Sequence, residues 1–193
     1  MSVRYNGAVV IVQDKIILGL LLDGDKSSYD IKKNMEMSTG FFYNSSQGSI
    51  QPALKKLLQN GHVTFSEEHQ GARVKKIYAI TNEGEQEFIQ WADEAISLEK
   101  PRDPALVKMY FSNYVKCDRK LEMIEQYLNE IAHVVATLKR MEQISIEQIK
   151  NRKQSLDNEK IKSRMTALRF GIDYYAFLNE WYGKYLMELK NQI

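Results

Sequence analysis

The run SSQGSIQPALKKLLQNGHVTFS, residues 45–66, holds two periodicities back to back. Ile50, Leu54, Leu57 and Leu58 recur at i, i+4, i+7 and i+8, the spacing that gathers apolar side chains on one face of an α-helix. Asn60 and Gly61 close that helix, because glycine takes the left-handed conformation of a helix C-terminus without steric cost. From His62 the period drops to two. Val63 and Phe65 alternate with Thr64 and Ser66, and after a glycine-containing turn at 70–71 the stretch 73–80 returns as a second strand, making a hairpin. Pro52 is cheap only within a first helical turn, which sets the helix start near residues 48–51, with Ser45 or Ser46 as N-cap. With Ile50, Leu54 and Leu57 inward, the opposite face carries Ser45, Gly48, Ser49, Pro52, Lys56 and Gln59, flanked by Gln51 and Lys55.

Working outward, residues 14–22 read as a short buried helix ended by the turn 23–25. A second helix follows, capped by Ser27 or Ser28, with Tyr29, Ile31 and Met35 as its apolar contacts and a polar break at 38–40. After the hairpin, Thr81 stands as N-cap of a helix whose first turns carry Glu83, Glu85 and Glu87. Its inward face is Phe88, Trp91, Ala92 and Ala95. Helix, helix, helix, hairpin, helix is the order of a winged helix-turn-helix, spanning 1–100. Pro101 and Pro104 mark a boundary, since residues before proline are biased away from helix. Beyond it, 105–115 is a short helix, and Leu121, Ile124, Leu128, Ile131, Val135 and Leu138 form a coiled-coil seam that falters at 142–151. The seam resumes from Ile161 through Met165, Leu168, Ile172, Tyr175, Tyr182, Leu186 and Leu189. The expected class is mainly α with a small β wing, 101–193 being an antiparallel helical domain for dimerisation and effector sensing. Dimerisation falls on Leu121, Ile124, Leu128, Ile131, Ile172, Tyr175, Tyr182 and Leu186. Phe170, Tyr174, Phe177, Trp181 and Tyr185 beside the seam leave surface that a monomer struggles to cover.

A three-helix unit followed by a wing can put its third helix into the major groove of DNA and its wing across the backbone. Gln47 and Gln51 can pair with adenine and Ser49 can give one hydrogen bond, whereas Lys55 and Lys56 supply charge without sequence information. Arg73, Lys75 and Lys76 at the wing can clamp phosphates. The net charge of +2 argues for no strong polyanion binder, and over residues 1–100 acids slightly outnumber bases. Within 44–81, however, these five cations face only Glu67 and Glu68, and phosphate contact needs a local cluster rather than a basic domain. Catalysis lacks its parts: His62, His69 and His133 lie in different elements, and no phosphate-binding glycine loop occurs. The lone Cys117, read as a small, partly buried side chain, excludes an intrachain disulfide and a four-thiolate metal site. No cofactor, metal or membrane span is expected, and a cytoplasmic location is.

On four segments the chain resembles the PadR-like family of bacterial transcriptional regulators: residues 18–21; Ser28, Tyr29, Asp30 and Ile31; residues 48–54 with Leu57 and Gly61; and Lys76, Tyr78, Ile80, Thr81 and Gly84. Lys108, Phe111 and Trp181 are similar to its long-tailed branch. Gln51 departs from the family's usual tyrosine and Ser27 from its frequent histidine, so the preferred operator differs. The resemblance implies a homodimer on a palindromic double-stranded DNA operator, usually a repressor, released in some members by a small molecule such as a phenolic acid. A small aromatic effector would meet Arg164, Arg169, Tyr174 and Trp181, unless that aromatic stripe is core or dimer interface. The rival reading is a winged-helix module that holds a protein instead of DNA.

Overall fold

The computed structural model describes residues 8–43, 47–70, 73–96, 98, 103–151 and 158–191. The chain divides into two compact units, Met1–Leu98 and Glu99–Ile193. The first unit opens with α1 (Ala8–Leu21), so the helix expected from Asp14 extends back into the N-terminal stretch. A two-residue strand β1 (Lys26–Ser27) leads into α2 (Ser28–Ser38). Ser27 is the N-cap: its hydroxyl accepts the Asp30 amide at 3.2 Å while the Asp30 carboxylate accepts the Ser27 amide at 3.3 Å, a reciprocal capping box. α3 (Gln47–Gln59), the hairpin β2 (Val63–Gln70) and β3 (Arg73–Ile80), and α4 (Asn82–Ala92) complete the unit. The sheet order is β1-β3-β2, all antiparallel. α4 stops at Ala92, leaving Ala92 and Ala95 exposed, so of the four expected inward residues it is Phe88 that packs against the core.

That core takes Ile17, Leu18 and Leu21 from α1, Ile31 and Met35 from α2, Ile50, Ala53, Leu54 and Leu57 from α3, then Val63 and Tyr78. Each large aliphatic chain removed from water contributes about 2 kcal/mol. The stripe on α3, rather than its helix propensity, therefore fixes which way the helix faces. Its end is equally determined. Gly61 has φ 74°, its amide donates to the Leu58 carbonyl at 3.1 Å, and the His62 amide donates to the Leu57 carbonyl at 2.9 Å. This is a Schellman closure that only a residue at ease in the left-handed region makes without strain. The Thr81 hydroxyl then donates to the Gly61 carbonyl at 2.7 Å and accepts the Gly84 amide at 3.1 Å, welding the end of α3 to the start of α4.

In the second unit, α5 (Pro104–Tyr110) is capped by Asp103, whose side chain accepts the Ala105 amide at 2.8 Å, and a 3-10 turn at Ser112–Tyr114 follows. The single helix expected over 105–115 is thus broken after Tyr110. Two long helices, α6 (Cys117–Asn151) and α7 (Glu159–Lys190), pack antiparallel. α6 does not falter at 142–151; Ile149 is buried there and carries the packing on. Ile131, Leu138, Met165, Leu168, Tyr182 and Leu189 are buried between the helices, and Arg169–Glu142 (3.0 Å) and Lys190–Glu125 (2.7 Å) lace the two together. Cys117 is exposed rather than partly buried. Among the described residues no helix is long and apolar enough to cross a membrane.

A Cβ on Gly84 would lie 2.0 Å from the His62 carbonyl oxygen, a backbone atom that cannot step aside alone. Gly84→Ala should destabilise the first unit by about 1–3 kcal/mol, read as a lower urea midpoint with unchanged slope. A midpoint equal to that of the unmodified chain would show that the corner is looser than described.

Candidate nucleic-acid interface

α3 begins at Gln47, earlier than the proline placed it, so Pro52 falls in the second turn, not the first. Proline has no N–H, and the Gly48 carbonyl therefore lacks its ordinary intrahelical donor. The turn is tolerated because Pro52 and Gly48 lie on the exposed side. Gln51 and Lys55 are exposed beside them and Ser49 is half-buried. Ser45 lies outside the described residues, as do the side chains of Gln47 and Arg73.

Lys56 does not stand with Lys55. Its ammonium reaches back to α1 and meets the Asp14 carboxylate at 2.6 Å, with the Asp14 side chain only 8% exposed. On the hairpin, β2 and β3 pair from Val63 with Ile80 to Gln70 with Arg73. β1 adds to β3 through Lys26 with Tyr78 and Ser27 with Ile77. Lys76 is exposed, its Nζ 4.2 Å from the centroid of the Phe65 ring, a cation–π contact that steadies a flexible chain without neutralising it. Lys75 lies 3.3 Å from the Asp30 carboxylate, tying the wing to the capped end of α2. The Ser27 hydroxyl outweighs the opposing effect of burial and, with a smaller contribution from Lys75, holds the Asp30 carboxyl below its ordinary value of 3.8.

The residues assigned to dimerisation are largely used inside the chain. Ile131 and Tyr182 are buried, and Leu121, Ile124, Leu128, Ile172, Tyr175 and Leu186 are half-buried, because the helical hairpin consumes its own seam. α7 leaves exposed the adjacent aromatic row Phe170, Tyr174, Phe177 and Trp181, at helical spacings of three and four, as well as Met187. Arg169, Tyr174 and Trp181 each meet a neighbour on the helical hairpin. Arg169 is paired with Glu142, Tyr174 stacks on Phe170 with centroids 6.2 Å apart, and Trp181 stacks on Tyr185 at 5.9 Å. A cavity of about 500 Å³ in this unit is lined by Lys108, Met109, Arg119, Met123, Tyr127 and Tyr182 among others, and not by Arg169, Tyr174 or Trp181. Burial, reinforced by Asp103, pushes the Tyr127 phenol up to about 12. The Tyr182 hydroxyl is buried without a hydrogen-bond partner among the described residues. No sequence signal marked this cavity, since its lining comes from three helices at no common spacing.

A three-helix core, a charged two-stranded wing and a trailing helical hairpin define a winged-helix regulator with a helical C-terminal unit. Residues 17–90 match the model of the transcriptional regulator PadR-like family, and residues 101–190 the model named virulence activator alpha C-term. The negative transcriptional regulator PadR of Bacillus subtilis is 32% identical over 117 residues, which is 60% of this chain and 63% of that protein, a little under two thirds of its length. Its structure with operator DNA superposes with a TM-score of 0.74 at 26% identity, over 92% of this chain and 99% of that one. Its structure with p-coumaric acid shares the fold at a TM-score of 0.69 and 23% identity, over 93% and 99%. A PadR-like transcriptional regulator of Bacillus cereus, BC1756, gives a TM-score of 0.70 at 29% identity, over 94% and 99%. Residues 17–90 thus carry the domain of the PadR-like family of transcriptional regulators, and the chain is similar in fold to PadR proteins over most of its length.

Because Asp30 is more acidic folded than unfolded, the unfolded chain binds more protons near that pH, and the cap's contribution is complete above about pH 4 and lost as pH falls through the lowered value. Asp30→Asn should flatten the fall in stability between about pH 5 and pH 3, measured by urea unfolding. Equal acid slopes in the two proteins would remove Asp30 from the account.

Proposed function

We propose that the chain is a DNA-binding transcriptional regulator acting as a homodimer, α3 of each copy entering a major groove and the wing resting on flanking phosphates. The observation that carries this reading is the division of α3: Ile50, Leu54 and Leu57 are sealed in the core while Gln51 and Lys55 stand exposed. The amide of Gln51 offers the donor–acceptor pair that matches adenine, with Gln47 and Ser49 as further hydrogen-bonding groups. Lys55, Arg73, Lys75 and Lys76 are the phosphate contacts, with Pro52 on the exposed side of the second turn that approaches the groove. Lys75 can serve because its ion pair with Asp30 is exposed, and exposed pairs exchange partners at little cost. A two-fold homodimer reads a palindromic operator, with recognition helices about 34 Å apart. Repression is the output of the Bacillus subtilis relative, named a negative regulator, and is the output proposed here.

The second copy is proposed to cover the aromatic row of α7, Phe170, Tyr174, Phe177 and Trp181. A small aromatic effector, the kind of ligand p-coumaric acid is for the Bacillus subtilis protein, is assigned to the cavity at Tyr127 and Tyr182 rather than to Arg169, Tyr174 and Trp181. The cavity combines apolar walls, the cations of Lys108 and Arg119, and the unpartnered Tyr182 hydroxyl.

A gel-shift titration against the DNA upstream of the chain's own gene tests the main reading. Binding should weaken steeply with salt, Lys76→Ala should lower the salt slope by about 0.9 on every duplex, and Gln51→Ala should change which sequence is preferred. Salt-insensitive binding to a protein, with none to DNA, would favour an interaction module instead. Phe177→Glu should shift the sedimenting species from dimer to monomer; an undisturbed dimer would place the interface elsewhere.

A further inference from the structure

Three consecutive residues of α1 are polar and buried: Gln13, Asp14 and Lys15. Successive side chains on a helix point about 100° apart, and these three reach three different helices. The Gln13 amide donates to the Met35 sulfur of α2 at 3.8 Å. Asp14 accepts Lys56 of α3 at 2.6 Å. Lys15 donates to the Glu87 backbone carbonyl of α4 at 3.0 Å and to the Glu87 carboxylate, and this contact holds the Glu87 carboxyl below its usual range. Apolar packing alone lets helices slide and rotate by small amounts at little cost; a directed polar bond from one rigid turn to each neighbour does not.

We propose that Lys56 is a positioning residue, which through the buried carboxylate of Asp14 sets the seat of the recognition helix on α1, and that it is not one of the charges that neutralise DNA phosphates. The inference rests on the DNA-binding reading above. Were Lys56 to swing out to a phosphate, it would leave the buried Asp14 carboxylate without its ion-pair partner. Asp14 Oδ1 is buried with no hydrogen bond among the described residues, beside a cavity of about 70 Å³ lined by Asn60, His62 and Glu87 as well. Stripping the remaining partner from a buried ion costs far more than an exposed phosphate contact returns. Lys55, one residue back and exposed, has no such restraint among the described residues. The two adjacent lysines therefore divide the work, one facing DNA and the other facing the fold.

The test uses the full chain, the DNA upstream of its own gene and a short mixed-sequence duplex. Lys56→Met keeps the aliphatic stem and removes the charge; Asp14→Asn removes the partner. Each should reduce the ratio of upstream to mixed-sequence affinity about tenfold and leave the salt slope at its original value. The double variant should lose no more than either single one, in affinity ratio and in urea stability alike, and Lys56→Arg should restore most of the ratio. A residue that served stability alone would move the urea midpoint but not the affinity ratio measured well below unfolding. If Lys56→Met lowers the salt slope by about 0.9, Lys56 is a phosphate contact and the proposal is overturned; additive losses in the double variant overturn it too. If the unmodified chain binds neither duplex, the DNA reading is what fails and the positioning role falls with it, while urea stability still reports whether the pair exists.

Discussion

Everything in the N-terminal unit hangs on one constraint: α3 must bury one side completely and keep the other side free. Ile50, Leu54 and Leu57 satisfy the first half by filling a core already walled by Ile17, Leu18 and Leu21 of α1. The second half follows from the same spacing, because residues that miss the stripe face away from it. Gln51 and Lys55 are exposed for that geometric reason before any question of what they touch arises. The Schellman closure at Gly61 and the two hydrogen bonds of the Thr81 hydroxyl then tie the end of α3 to the chain as it leaves the hairpin.

The second unit solves a different problem. A pair of long helices has more than one apolar stripe, and only one can be turned toward the other helix. The stripe read from sequence as an interface is mostly spent inside the hairpin, with Ile131 and Tyr182 almost wholly enclosed. The aromatic row beside it is what remains for another surface. Ion pairs such as Arg169 with Glu142 fix the register of the two helices, yet being exposed they contribute little to its stability.

Legibility followed length and periodicity. The elements with a repeated apolar spacing, namely α3, the hairpin, α6 and α7, are visible in the sequence, and so are Ser27, Thr81 and Gly61 as terminators. β1 is not, since two residues cannot display an alternation, and it exists only because β3 offers it an edge. The start of α3 is not legible from Pro52, which signals a first turn although an exposed second turn tolerates it as well. The role of Lys56 was hidden for a deeper reason: Asp14 is 42 residues away, and nothing local distinguishes a lysine that meets solvent from one that meets a buried acid. The C-terminal cavity shares that opacity, being a property of three helices together.

The two-residue length of β1 has a further consequence. It covers β3 only at Ile77 and Tyr78, so beyond that point the hairpin is a bare ribbon, with β2 uncovered on its outer side among the described residues. Unpaired strand edges invite another chain to add itself and start an aggregate. Here the ribbon carries Glu67 and Glu68 opposite Lys76 and Lys75, and an incoming strand would have to strip water from all four. Those four charges thus make the uncovered edge a poor template for another strand.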